Sequence, residues 1–339
     1  MGLVSVLLVR PLVAALGAAG PGSEPRLDAF WSATGLTAQL LADADARITA
    51  PQFSAAWAEA LRLTSDRALP LRAAAALPAG AFGIPEHVCR AAPTLGEALR
   101  QWVRYLNLLD DAVAIGLEVE EDRALLRVER ESEAPAPAAH ELRLALAARY
   151  ARELPATPVR PLAVEFTYPE PDDAVPFDAW LEAPVRFGAD ATQLVLPRAA
   201  LAARLAPAAP ASLAILARVD DELARQVAAD PPMTRQVKRA LHDALRSDDA
   251  QVESIAKQLG LAVRTLQRRL KDEGTSLQAA REEVRRVLAQ RYLDEGLSTL
   301  EISFLLGFSE PGALLRAFKR WTGLSPAESR ARDPAAAPA

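Results

Sequence analysis

Arginine, lysine and glutamine gather in two short stretches of this 339-residue chain, Arg264-Thr265-Leu266-Gln267-Arg268-Arg269-Leu270-Lys271 and Leu314-Leu315-Arg316-Ala317-Phe318-Lys319-Arg320. Their chemistry is that of cations and hydrogen-bond donors, side chains that reach base edges and phosphates. In each stretch the apolar residues recur at helical spacing, so the polar residues keep a face of their own. Nothing comparable supports catalysis: there is no Ser/His/Asp arrangement, no phosphate-binding glycine loop and no metal-ligand spacing. A single cysteine, Cys89, excludes an internal disulfide and a cysteine-based zinc site, and His87, His140 and His242 are scattered. No cofactor is expected.

The same grammar precedes both polar helices. Ile255-Ala256-Lys257-Gln258-Leu259-Gly260-Leu261 leads into the first, and Ile302-Ser303-Phe304-Leu305-Leu306-Gly307-Phe308 into the second. A small residue after the isoleucine lets a second helix pack closely. An apolar residue three further on, followed by a glycine, ends the first helix, because glycine takes a left-handed turn cheaply. Two helix-turn-helix units are expected within an all-helical back half, with helices over about 234–245, 252–259, 263–271, 277–295, 299–306 and 311–322. The long helix between the units would fix the spacing of two reading helices, and successive major grooves on one duplex face lie about 34 Å apart.

Charge divides along the chain. Residues 234–332 hold 18 Lys and Arg against 13 Asp and Glu, whereas 1–233 hold 21 against 30. An acidic front and a basic back are expected where only the back meets a polyanion.

The front half reads as α+β. Helical spacing recurs over 27–41, 51–63 and 94–109, with a capping box at Thr94 and Glu97. Strands are expected over 113–119 and 124–129, joined by an acidic turn, and at 162–167, 185–187 and 193–196. Residues 134–139 read as a loop before a helix over 141–154, and the acidic pairs Asp110-Asp111 and Asp172-Asp173 as solvated turns. The apolar start, 4–16, is too short for a bilayer and lacks a basic leader, so a packed helix and a cytoplasmic protein with no membrane contact are expected. Residues 202–210 form a loop or hinge, a helix spans 213–227, and Asp230-Pro231-Pro232 marks the boundary. The domains are therefore an α+β unit over 1–205, a linker and helix over 206–233, the double helix-turn-helix over 234–332 and a disordered tail over 333–339.

Residues 235–332 resemble the DNA-binding domain of the AraC/XylS family of bacterial transcription regulators. Gly307-Phe308-Ser309-Glu310-Pro311 through Ala317-Phe318-Lys319-Arg320-Trp321-Thr322-Gly323 and Ser325-Pro326 is close to its second-motif signature, and 264–270 is similar to its first reading helix. The front half is similar to the family's arabinose-binding-like domain at Leu40-Leu41-Ala42-Asp43, Phe82-Gly83, Pro93 to Leu99 and Pro184 to Phe187. The resemblance implies a DNA-binding regulator, activation through RNA polymerase, and a front domain that binds a small-molecule effector, forms a homodimer, or does both. It places Arg264, Gln267 and Arg268 in one major groove of double-stranded DNA and makes Arg316 the base reader of the second unit. Ser309 would cap that helix, with Lys319 and Arg320 on phosphates. Gly312 and Leu314-Leu315 depart from the pattern and remove hydrogen-bonding capacity there, so the first unit would supply most of the base specificity. In the front half His87, Cys89, Trp102 and Tyr105 are pocket candidates, each weighed against a place in the core. An effector-blind architectural protein is the alternative. A DNA-repair methyltransferase would need a reactive acceptor cysteine, for which there is only Cys89.

Overall fold

The computed structural model describes residues 2–18, 23–131, 137–171, 175–206, 214–247 and 250–332. The tail at 333–339, the pair Asp172-Asp173 and much of the expected hinge lie outside the described residues. Contacts divide the chain into two compact units, Met1–Ala208 and Ala209–Ala339.

In the first unit β1 (Leu3–Ser5) precedes α1 (Arg10–Gly17), α2 (Ser23–Thr34) and α3 (Ala38–Ala42). The start is thus not one helix. The β-branched Val4 favours extended backbone, β1 pairs antiparallel with β2 (Arg47–Thr49), and a single 3-10 turn at Val6–Leu8 intervenes before α1, which carries Pro11 in its first turn. The expected 27–41 helix is likewise split, by Gly35 in a left-handed conformation and by Thr37, whose hydroxyl caps α3. Then follow α4 (Ala50–Thr64), α5 (Leu69–Ala76), α6 (Ile84–Arg90) and α7 (Leu95–Leu109). At the start of α7 the Thr94 hydroxyl accepts the Glu97 N–H, half of the expected capping box.

A five-stranded sheet comes next: β3 (Val113–Val119), β4 (Arg123–Glu131), then α8 (Pro137–Glu153), β5 (Ala163–Glu165), α9 (Phe177–Leu181), β6 (Val185–Arg186) and β7 (Gln193–Pro197). Its order is β3-β4-β7-β5-β6, antiparallel except for β5 beside β6. A register shift at Ala114/Ile115 frees the Ile115 backbone, and the Asn107 carboxamide of α7 takes both groups at 2.9 Å. α8 starts at Pro137, inside the expected loop, because proline fits the first helical turn.

α8 is buried almost all round, and its polar residues are partnered. Glu141 meets Arg67 and, at 2.6 Å, the Tyr168 hydroxyl. His140 Nε2 lies 2.6 Å from Glu131. Arg143 pairs with Asp110, both about 4 % exposed at the side chain. Asp110 is therefore a buried counter-ion and not a solvated turn residue: its partner lies 33 residues away, beyond what a local acidic pair reveals.

The second unit is helical: α10 (Ala214–Gln226), α11 (Pro232–Ser247), α12 (Val252–Gln258), α13 (Val263–Asp272), α14 (Leu277–Asp294), α15 (Thr299–Leu305), α16 (Pro311–Thr322) and α17 (Pro326–Arg332). α10, expected inside a linker, packs on α14, where Arg218 pairs with Glu295 and Glu222 with Arg291. Met233, Val237 and Leu241 of α11 form a core with Ile255, Ala256, Leu266, Leu270 and Ala280. Lys238, 3 % exposed, reaches Asp230 at 2.9 Å and Glu283 at 2.7 Å, tying α11 to α14.

Candidate nucleic-acid interface

Both helix-turn-helix units close by the same device. The Leu261 N–H reaches back to the Ala256 carbonyl at 2.8 Å, and the Phe308 N–H to the Ser303 carbonyl at 3.0 Å. Gly260 and Gly307 stand at the turns with φ of +67° and +65°, where an L side chain is strained. Ala256 and Ser303 are fully buried, Ala256 in a core with Leu266 and Leu270 of α13. Ser303 adds no stray polar group, because its hydroxyl returns to the Thr299 carbonyl at 2.7 Å.

The turns aim α13 and α16 outward. Leu266 and Leu270 are buried, and Arg264, Gln267 and Arg268 occupy the opposite, exposed face with Lys271. In α16 Leu314, Ala317 and Phe318 are buried, and Leu315, Arg316, Lys319 and Arg320 are exposed. α14 runs between the units with Ala280, Val284, Leu288, Ala289, Tyr292 and Leu293 buried along it. Its 18 residues span about 27 Å at the helical rise.

Carboxylates lock this frame. Glu273, at the end of α13, accepts the N–H groups of Met233 and Thr234 at 3.0 and 2.7 Å and the Thr234 hydroxyl at 2.7 Å. Burial opposes its ionisation, but these hydrogen bonds outweigh it and hold the carboxyl below its ordinary value. Glu282 of α14 accepts from Trp321 Nε1 at 2.9 Å and pairs with Arg320; again burial raises its pKa, and the donors from Trp321 and Arg320 lower it further. Trp321 is thus a packing residue, beside Phe308. Arg285, 4.4 Å over the Phe308 ring, donates to the carbonyls of Leu306 and Gly307.

Some expected roles shift. Ser309 does not cap α16. With Pro311 as the first helical residue the N-cap is Glu310, which makes no side-chain cap bond, and Ser309 sits one position too early, exposed. Glu310 instead pairs with Arg316 at 2.6 Å. Arg320 is engaged by Glu282, whereas Arg264, Gln267, Arg268 and Lys319 stand exposed on their helices. Glu301, an acidic residue in the first turn of α15, completes a reciprocal capping box with Ser298. Glu273, Glu282 and Arg285 had not been singled out; their partners are distant in sequence and no local pattern marks them.

In the first unit Trp102 and Tyr105 are no more than 1 % exposed. They pack with Phe82 and Tyr150, and the Tyr105 hydroxyl donates to the Phe82 carbonyl. His87 is half-buried beneath the Gly80 turn. Cys89 is buried, and desolvation drives its thiol far up from its ordinary value. These four do not line a cleft of about 550 Å³ on this unit that is bounded by Glu170, Pro176, Phe177, Asp178, Val185 and Phe187. Among the described residues no group of His, Cys, Asp and Glu could hold a metal ion, and no helix is long and apolar enough to cross a membrane.

Residues 26–205 match the family model described as the arabinose-binding domain of AraC transcription regulators, N-terminal, and residues 255–332 match a helix-turn-helix domain. The chain belongs to the AraC family of transcription regulators. This AraC-type regulator is 27% identical over 305 residues to the ornithine utilization regulator of Pseudomonas aeruginosa, covering 89% of this chain and 90% of that one. It is 29% identical over 316 residues to the transcriptional regulator VirS of Mycobacterium tuberculosis, covering 92% of this chain and 87% of the other. Among solved structures, the transcriptional regulator CdpR from Pseudomonas aeruginosa matches with a TM-score of 0.41 at 22% identity, over 92% of this chain and 98% of that one. The two matched domains correspond to the α+β front unit and the helical, DNA-binding back unit.

Proposed function

We propose that this AraC-type regulator binds an asymmetric duplex site through two adjacent major grooves, α13 entering one and α16 the next. The observation that carries this is the pair of outward faces, on α13 and α16, held by identical glycine turns with α14 between them. Arg264 and Arg268 pair with guanine and Gln267 with adenine, and Arg316, Lys319 and Arg320 serve the second groove. The exposed Arg316–Glu310 pair is worth well under about 1 kcal/mol, so DNA can displace it. Ser309 lies next to the α16 N-terminus, where backbone N–H groups favour a phosphate.

The front unit binds a small-molecule effector, forms a homodimer, or both, and biases the back unit toward one arrangement on DNA, acting in the cytoplasm and through RNA polymerase. An effector works only through differential affinity for two states. One relative is named for ornithine utilization, which puts amino acids first among compounds to screen by thermal shift. The regulator reading needs no catalytic step: the relatives are named as regulators, and Cys89 is buried.

A half-turn insertion tests the rigid spacing. Adding about 5 base pairs between the two half-sites rotates the second onto the opposite duplex face. Binding of the long site then falls to that of the first half-site alone. Undiminished binding would show that the two units are not held by a rigid α14.

A further inference from the structure

The two reading helices share a register. Leu266 and Leu270 are the buried pair of α13, Leu314 and Phe318 that of α16, and each pair is four residues apart. Measured from those anchors, Arg264 corresponds to Gly312, Gln267 to Leu315, Arg268 to Arg316 and Lys271 to Lys319. The cationic positions 268 and 271 are kept in the second helix. The other two become a glycine and a leucine.

Leu315 is 42% exposed, although its neighbour Leu314 is 1% exposed and packs inside. Helical side chains lean toward the N-terminus of their helix, the end from which reading helices contact base edges. There Gly312 offers no side chain to cover it. Arg316 folds back across Gly312: a Cβ at that position would lie 3.3 Å from its Nη1, and Nη2 is held 2.6 Å from Glu310 Oε1. The groove-facing end of α16 therefore presents an uncovered branched alkyl group beside a charge-compensated arginine. The apolar feature that a major groove offers is the C5-methyl of thymine.

We propose that Leu315 selects thymine in the second half of the site by packing on its C5-methyl, at the register where α13 presents Gln267. The assignment rests on the two-groove reading above. It makes the second unit a reader in its own right, through van der Waals contact instead of a carboxamide.

Deoxyuracil isolates the methyl, since it pairs as thymine does and lacks only that group. Each thymine in the second block of the selected site is replaced by deoxyuracil, and Kd of the full-length chain is measured by fluorescence anisotropy. One replacement is expected to raise Kd about fourfold, the effect of one buried methyl-sized group. With Leu315→Ala the thymine and deoxyuracil duplexes bind equally, and with Leu315→Met, which keeps an apolar contact, the difference persists. Leu315 is exposed, so both variants fold, and the urea midpoint of each checks this. A second block without thymine, a Kd indifferent to every replacement, or an undiminished thymine preference in Leu315→Ala overturns the assignment. A selection that returns the first block alone overturns the two-groove reading and this assignment with it.

Discussion

Replacing Arg264 and Arg268 together by alanine lowers affinity for the specific site by at least about thirtyfold, since each good base contact carries about 1–3 kcal/mol of discrimination. The loss falls on the specific complex. Both side chains are exposed on the face of α13 opposite Leu266 and Leu270, so their removal leaves no cavity and no buried partner unpaired. Binding to unrelated duplexes weakens only by the two lost cations, visible as a salt dependence shallower by at most about two phosphate contacts. Arg269→Ala is the control. It is also exposed but lies more than a right angle around the helix from Arg264, and it leaves base preferences as they were. Equal losses for specific and unrelated duplexes would make α13 a phosphate binder and remove it from base recognition.

The second large effect lies in the other unit. Arg143→Met strands Asp110 as an uncompensated buried charge, and breaking such a pair from one side costs about 3–5 kcal/mol. Burial depresses the Arg143 guanidinium, and the charges of Asp110 and Glu131 act against that, so the pair depends on both partners. Urea unfolding followed by fluorescence of the buried Trp57 and Trp102 reports this unit. Its midpoint falls steeply in Arg143→Met and recovers much of the loss in Asp110→Asn/Arg143→Met, where neither charge remains. A single-variant midpoint shifted by less than about 1 kcal/mol would mean that Asp110 is not held ionised in the core.

How much of this was legible depended on how local the cause is. The back half was readable because Gly260, Gly307 and the apolar period of each helix act within a few residues. The strand pair β3 and β4 was readable for the same reason. α8 was legible over most of its length, and only its first turn, from Pro137, was hidden in the Pro/Ala stretch that reads as a loop. Asp110 resembled a surface turn because its partner lies 33 residues on. Ser309 was misplaced as a cap by one residue, since Pro311 fixes the helix start. Short elements such as α5, α9 and α17 carry too few turns to show a period. Of the interface, sequence identified the exposed cations and Gln267 but not the carboxylates Glu273 and Glu282 that hold the helices in place.

The central claim is a two-helix reader of fixed spacing, and selection of bound duplexes from a random library by the purified full-length chain tests it most directly. The account predicts enrichment of two blocks about one helical turn apart, with the first block lost when Arg264→Ala/Arg268→Ala is used in parallel. A single block, or a library left unenriched and bound only in a salt-sensitive way, would contradict it.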